Sequence, residues 1–262
     1  MPQLLLELFS EEIPARMQGN AARDLERMAR ERLAEAGFAE AAIRTFAGPR
    51  RLTLVVDDLP AAQADRAEEL KGPKDGAPPQ AMEGFLRKVG LTQDQLVLRD
   101  GVWFATLSSK GKPTTDVIAA MVEDIVRNFP WPKSMKWGVC TLKWVRPLQR
   151  ILCLFDGAVV PVDIEGIKSA DLTEGHRFMG DQRGAFAVKD FDSYRTGLVQ
   201  RFVVLEANER KRRILDGARA ACAARGLELV EDDGLLEEVA GLAEWPVPIL
   251  GDMDPSFLDL PP

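Results

Sequence analysis

The chain has one histidine, His176, and it stands beside an arginine between two glycines in Gly175-His176-Arg177-Phe178-Met179-Gly180. Such a loop suits close approach to a phosphate or to a partner's backbone. The alternative is a histidine that hydrogen-bonds its own loop and an arginine that salt-bridges it. A single imidazole excludes metal sites built on two or more histidines. A histidine-based triad needs an activated nucleophile, and no G-x-S-x-G turn is present. Neither a G-x-x-x-x-G-K-[ST] loop nor a G-x-G-x-x-G fingerprint occurs, so no complete ATP or dinucleotide site is legible. The carboxylate runs Glu11-Glu12, Asp57-Asp58 and Glu231 to Asp233 read as solvated turns. No catalytic residue and no metal ligand is assigned.

Binding chemistry is better represented. Between Ile125 and Phe155 lie six positive charges and no negative one: Arg127, Lys133, Lys136, Lys143, Arg146 and Arg150. Trp131, Trp137 and Trp144 lie among them, three of the five tryptophans. The chain as a whole carries a net charge of -7. A local field opposite to the global one suggests a surface that meets an anion, with indole faces available to stack on bases. The competing reading is a tryptophan-rich core strand with cations on its wet side. An acidic chain is a poor general polyanion binder, because non-specific affinity grows with the phosphates neutralised. RNA would therefore meet a patch, with help from another chain. Pro49-Arg50-Arg51 is open in the same way: one arginine faces out from a strand start and the other braces the loop. Arg210 to Arg213 fans around a helix and reads as a solvated face.

Elements must position these residues. Leu4 to Phe9 reads as a buried strand, and Ile13-Pro14 opens a helix. Leu25, Met28, Ala29, Leu33 and Ala36 recur at helical spacing up to Gly37. Ile43 to Phe46 and Arg51 to Val56 read as strands joined through Gly48-Pro49. Ala61 to Gln80 is polar and proline-rich, hence irregular. A helix over Ala81 to Val89 follows, then a hairpin around Asp100-Gly101. A helix begins at Thr114 or Thr115 and ends at Pro130. Strands are expected at Leu142 to Val145, Ile151 to Phe155, Val159 to Ile164, Phe202 to Leu205 and Val247 to Leu250. Helices are expected at Lys189 to Leu198, Glu206 to Arg225 and Leu235 to Leu242. Helices and hairpins without steady alternation make an α+β fold with mixed or antiparallel sheets and packed helices. The organisation expected is a strand-helix-strand unit over 1–60, a hairpin-and-helix excursion over 61–128, and a core with the basic segment over 129–262. Scattered Cys140, Cys153 and Cys222 argue against a disulfide framework. Neither a cleavable leader nor a membrane-length apolar run is visible, so a cytoplasmic protein with no membrane partner is expected. Pro255 to Leu260 reads as the start of another element, so the chain reads as part of a longer one.

Several ordered stretches carry a resemblance. Glu7 to Pro14, Phe46 to Leu52, Lys71-Gly-Pro73, Pro132 to Gly138, Val145-Arg-Pro147, Gly175 to Gly180, Leu235 to Ala240 and Glu244-Trp-Pro246 together resemble the N-terminal part of the beta subunit of bacterial two-subunit glycyl-tRNA synthetase. The resemblance implies a longer subunit with later helical and anticodon-binding parts. It implies a region similar to the B3/B4 module of the phenylalanyl-tRNA synthetase beta chain. It also implies an alpha subunit, in an alpha2beta2 heterotetramer, whose class II core activates glycine with ATP and magnesium. This segment would bind no cofactor and would contribute binding of glycine tRNA and subunit assembly. On that reading Arg50, Arg51, Lys133, Lys136, Lys143, Arg146, Arg150, His176 and Arg177 contact RNA. Two positions depart from the family pattern: Phe9 stands where glycine is common, and Gln149 where histidine is frequent. The second leaves His176 as the sole imidazole and weakens any proton transfer near Arg146. A hydrolytic editing domain and a purely structural scaffold for the alpha subunit are the alternatives. Against editing, glycine is the smallest substrate, so larger amino acids are excluded sterically without a second sieve.

Overall fold

The seven residues of β1 (Leu4–Ser10) are all buried, and they form the centre of the molecule's main sheet. The computed structural model describes residues 2–181 and 184–258. Of Pro255 to Leu260, where a further element was expected to begin, Pro255–Leu258 form a 3-10 turn, and residues 259–262 lie outside the described residues. After β1 come α1 (Ala15–Glu35), β2 (Ala42–Ala47) and β3 (Arg51–Asp57). Then follow β4 (Arg66–Lys74), α2 (Pro79–Val89), β5 (Val97–Arg99), β6 (Val102–Ser109) and α3 (Thr114–Asn128). The second half holds β7 (Leu148–Phe155), β8 (Ala158–Val159), β9 (Asp163–Ile164), β10 (Ile167–Ala170), β11 (Leu172–Glu174) and β12 (Ala185–Ala187). It closes with α4 (Phe191–Gln200), α5 (Ala207–Ala223) and α6 (Asp233–Leu242).

The chain divides into two compact units, residues 1–60 with 115–262, and residues 61–114. The excursion thus ends before α3, and the two flanking segments share one unit. In the larger unit the sheet order is β2-β3-β1-β7-β10-β9, with β8 also on β7. β1 is antiparallel to β3 and to β7, while β10 runs parallel to β7. The expected α+β class with a mixed sheet is what forms.

Alternation along β1 divides the sheet's two faces. Leu4, Leu6 and Leu8 join a core with Leu25, Leu33, Ile118, Val122 and Ile125, so α1 and α3 cover that side. Leu5 joins Val55, Leu152, Leu154, Tyr194 and Leu198, so α4 covers the other. Continuing the second face towards the strand end reaches Glu7 and Phe9 on β1, Thr53 and Arg51 on β3, and Arg150 on β7. The registers place Glu7 opposite Thr53, and Phe9 opposite both Arg51 and Arg150. One sheet face therefore passes from apolar to charged within a few residues.

The smaller unit pairs β4, β6 and β5 in that order. Its hairpin turn has Asp100 at φ 50° and Gly101 at φ 70°, the two left-handed residues that a tight primed turn requires. Ala61 to Gln80 is not irregular, since β4 runs through it along β6. Its charged side chains concealed the strand because this small sheet buries little. Leu142 to Val145 does not form a strand; only Trp144 makes a bridge, to Met135. Val159 to Ile164 splits around Pro161, which has no N–H to give a ladder. Phe202 to Leu205 and Val247 to Leu250 form no strand: Phe202 sits in a turn at φ 59°, and Val204 N donates to Glu244 O at 2.8 Å outside any ladder.

Candidate nucleic-acid interface

The basic segment leaves α3 at Asn128 and returns to the sheet at Leu148, and its aromatic residues fasten it. Trp144 is fully buried, with ring centroids 5.1 Å from Phe129 and 5.1 Å from Trp131. Trp131 and Trp137 pack against the same core. Trp144 is an anchor with no face open to a base, while Trp131 and Trp137 are half-buried. From the anchor two arms run side by side. Met135 N donates to Trp144 O at 2.8 Å and Trp144 N to Met135 O at 3.2 Å.

That antiparallel bridge sets the placement of the cations. Lys136 and Lys143 are the next residues on the two arms on one side of it. Lys133 and Arg146 lie two residues away on the other. All four are exposed. No ion pair involves any of them among the described residues, whereas the remaining two cations of the window are neutralised. Arg127 pairs with Glu123 at 3.0 Å and Glu165 at 3.6 Å, and Arg150 pairs with Glu174 at 2.8 Å. Like charges facing each other across paired chains are unfavourable without a counter-ion.

The other expected contacts gather at the end of the sheet. Arg51, 1 % exposed, is enclosed. Its guanidinium meets Glu7 Oε2 at 3.0 Å and Glu244 Oε1 at 2.9 Å and donates to the carbonyl of Glu174 at 3.1 Å. Tyr194 Oη and Thr173 Oγ1 each donate to Glu7 at 2.5 Å. Burial alone would lower the Arg51 pKa, but Glu244 and Glu7 more than offset it and raise it. Burial, together with the Glu7 charge, pushes the Tyr194 hydroxyl well above its ordinary range. No external phosphate reaches Arg51 in this arrangement.

Arg50 shares the Phe9 ring with Arg51, at 4.4 Å against 5.2 Å. It is 5 % exposed, yet its Nε and Nη1 have no hydrogen-bond partner among the described residues. Its approach to a carboxylate is Nη2 to Glu174 at 3.9 Å. Burial depresses its pKa, and Arg177 and Arg51 nearby add to the effect. Arg177 spans Glu11 at 2.6 Å and Glu12 at 3.1 Å. Its hydrogen bond to Glu11 is the largest influence holding that carboxyl below the usual range. Gln149, on β7 beside Arg150, donates to Glu11 at 2.5 Å.

His176 is held by its own loop. Its Nδ1 accepts from the amides of Phe178 and Met179, both at 3.1 Å. Burial lowers its pKa, and the charges of Arg50 and Arg51 act in the same direction against Glu244. A proton on Nδ1 would also break both amide bonds. The glycine before it is dictated by packing, since a Cβ on Gly175 would sit 2.4 Å from Arg201 Cβ. Phe178, beside Arg177, is 69 % exposed.

The structure thus separates the expected residues into two groups. Lys133, Lys136, Lys143 and Arg146 form an uncompensated pair of arms. Arg50, Arg51, Arg150, His176 and Arg177 form a cluster interleaved with Glu7, Glu11, Glu174 and Glu244. The two meet where Glu11 N donates to Pro147 O at 3.1 Å, one residue after Arg146. Sequence reading missed Glu7, Glu174 and Tyr194. A carboxylate inside Leu-Leu-Leu-Glu-Leu-Phe was the available signal for Glu7, because a buried strand tolerates one only with a partner. Among the described residues no group of acidic, histidine or cysteine side chains could hold a metal, and no helix is long and apolar enough to cross a membrane.

Comparison with known proteins agrees with the family that the sequence stretches resemble. A family described as "Glycyl-tRNA synthetase beta subunit" matches residues 4–262. The glycine–tRNA ligase beta subunit of Phenylobacterium zucineum (strain HLK1) is 70% identical over 262 residues, covering 100% of this chain and 39% of that protein. Its counterpart in Dinoroseobacter shibae is 52% identical over 270 residues, covering 100% of this chain and 37% of that protein. The one in Rhodospirillum centenum is 45% identical over 290 residues, covering 100% and 40%. The chain therefore spans about two fifths of the length of these relatives.

Proposed function

Because the chain belongs to the glycyl-tRNA synthetase beta subunit family, we propose that it forms a tRNA-contacting and assembly region of a glycine–tRNA ligase. Bond-making would occur on an alpha subunit that uses ATP and magnesium. The observation that carries this reading is the pair of arms, with four exposed cations and no carboxylate on any of them among the described residues. Such a patch in a chain of net charge -7 suits the sugar–phosphate backbone. Contacts of this kind fix the orientation of an RNA and leave its sequence unread.

Arg150 and Arg177 are reserve contacts, available once Glu174, Glu11 or Glu12 is displaced. Arg51 acts from inside by holding the sheet end together, and His176 shapes the loop that presents Arg177 and Phe178. The heterotetramer, the glycine tRNA partner, the cytoplasmic setting and a likeness of the larger unit to the B3/B4 module belong to the same proposal. Replacing Lys133 and Lys136 together by alanine in the complete two-subunit enzyme tests it. Affinity for tRNA, measured by filter binding, is expected to fall by roughly tenfold or more, since each charge-assisted hydrogen bond is worth roughly 1.5–3 kcal/mol at most. Unchanged affinity would remove the arms from the interface.

A further inference from the structure

Glu174, the last residue of β11, stands between two arginines and serves one of them. Arg150 takes Oε1 through Nε at 2.9 Å and Nη2 at 2.8 Å. Oε2 lies 3.9 Å from Arg50 Nη2, inside ion-pair range but beyond a hydrogen bond. This division runs against burial. The Arg150 side chain is 42 % exposed and has water to turn to. The Arg50 side chain is 6 % exposed, and its Nε and Nη1 have no partner among the described residues. A buried N–H without an acceptor is costly, and more so on a charged group. Arg177 and Arg51 nearby bring like charge to Arg50 and no acceptor.

The geometry lets the carboxylate change hands. The backbone of Glu174 is fixed, because its carbonyl accepts from Arg51 Nη2 at 3.1 Å and β12 pairs it with Ala185. Turning the side chain is enough, since Oε2 needs to close only roughly 1 Å to reach charge-assisted hydrogen-bond distance. Nη2 forms one fork of the guanidinium with Nε and another with Nη1, and both of those atoms are open. The Phe9 ring at 4.4 Å holds Arg50 in place, so the acceptor comes to the arginine. Arg150 would then be free. It lies on β7, the strand into which the arm carrying Lys143 and Arg146 leads. Four residues separate it from Arg146, at most about 14 Å of extended chain. An RNA strand held by the arms can continue onto it.

We infer that Arg50 is a positioning residue for RNA: when a backbone phosphate takes Arg150, Glu174 passes to Arg50, and the new contact forms without leaving a carboxylate unpaired. Arg50 itself touches no RNA in this hand-over. The inference rests on the tRNA-contacting role proposed above and names what gates one contact of that site.

The test is tRNA affinity of the complete two-subunit enzyme across a salt series, for wild type, Arg50→Met, Glu174→Gln and the double variant. Methionine keeps a flexible apolar stem on the Phe9 ring, so the thermal midpoint of Arg50→Met should hold. With no second arginine to receive it, Glu174 stays on Arg150. Affinity should then fall roughly fivefold at physiological salt, and the slope of log affinity against log salt should become shallower by about 1. Glu174→Gln needs no change at Arg50 and should bind at least as tightly as wild type, because Arg150 is released outright. The double variant has no carboxylate to rehouse and should recover the affinity and slope of Glu174→Gln. A double variant as weak as Arg50→Met would make Arg50 a direct contact or a mere support of the fold, and would overturn the inference. So would an Arg50→Met slope parallel to wild type, weaker binding by Glu174→Gln, or loss of the alpha subunit from Arg50→Met in place of a changed slope. The Lys133 and Lys136 test above turns on other residues. A weakened lysine variant beside a silent Arg50→Met sinks the hand-over alone, whereas silence in both sinks the reading beneath it.

Discussion

Glu7 and Glu244 share one guanidinium in the interior; Tyr194 joins Arg51 on Glu7 Oε2, and Thr173 donates to Oε1, the oxygen Arg51 leaves open. Removing the cation strands two buried carboxylates. Arg51→Met is therefore expected to cost about 3–5 kcal/mol, read as a lower urea midpoint. Tyr194→Phe, which leaves Arg51 and Thr173 on Glu7, should cost less, about 1.5–3 kcal/mol, the worth of one hydrogen bond to a charged group. His176 gives a pH signature. Its folded pKa lies below the ordinary 6.5. As pH falls through that value the unfolded chain takes up the proton first, so stability is complete above it and declines below it. The thermal midpoint should thus drop between about pH 7 and pH 5.5, and His176→Asn should flatten that part of the curve. The arginine and histidine positions were legible in the sequence. Their carboxylate partners, such as Glu7 and Glu174, were not, because they come together only through strand register and long-range folding.

Periodicity served well wherever an element buries one clear face. α1 and α3 were readable from their apolar spacing, and β1 from its run of leucines. It failed where a segment is polar yet paired, as in β4, and where a largely apolar one makes a single bridge and no strand, as in Leu142 to Val145. In the second case burial comes from packing indoles rather than from a ladder, and composition cannot tell these apart. The arms consequently depend on Trp144. Trp144→Ala is expected to cost about 3–5 kcal/mol through the cavity it opens. It should also release Lys136 and Lys143 from their shared placement, so tRNA affinity should fall even though no cation has been removed. Retained affinity in a folded Trp144→Ala protein would show that the arms need no anchor.

Across the whole molecule, charge is distributed so that most arginines are matched by carboxylates while the arms are not. The α+β class could be read from the mixture of helices and hairpins. The grouping of 1–60 with 115–262 could not, because the sheet that joins β1 to β7 is written nearly 140 residues apart in the chain. A patch of four cations without an ion pair among the described residues, on a chain of net charge -7, predicts an association governed by counter-ion release. The most direct measurement is the salt dependence of tRNA affinity for the complete enzyme and its Lys136→Ala/Lys143→Ala variant. The slope of log affinity against log salt should become shallower by about 1 for each lysine removed. Parallel lines for the two proteins would contradict a phosphate-holding role for the arms.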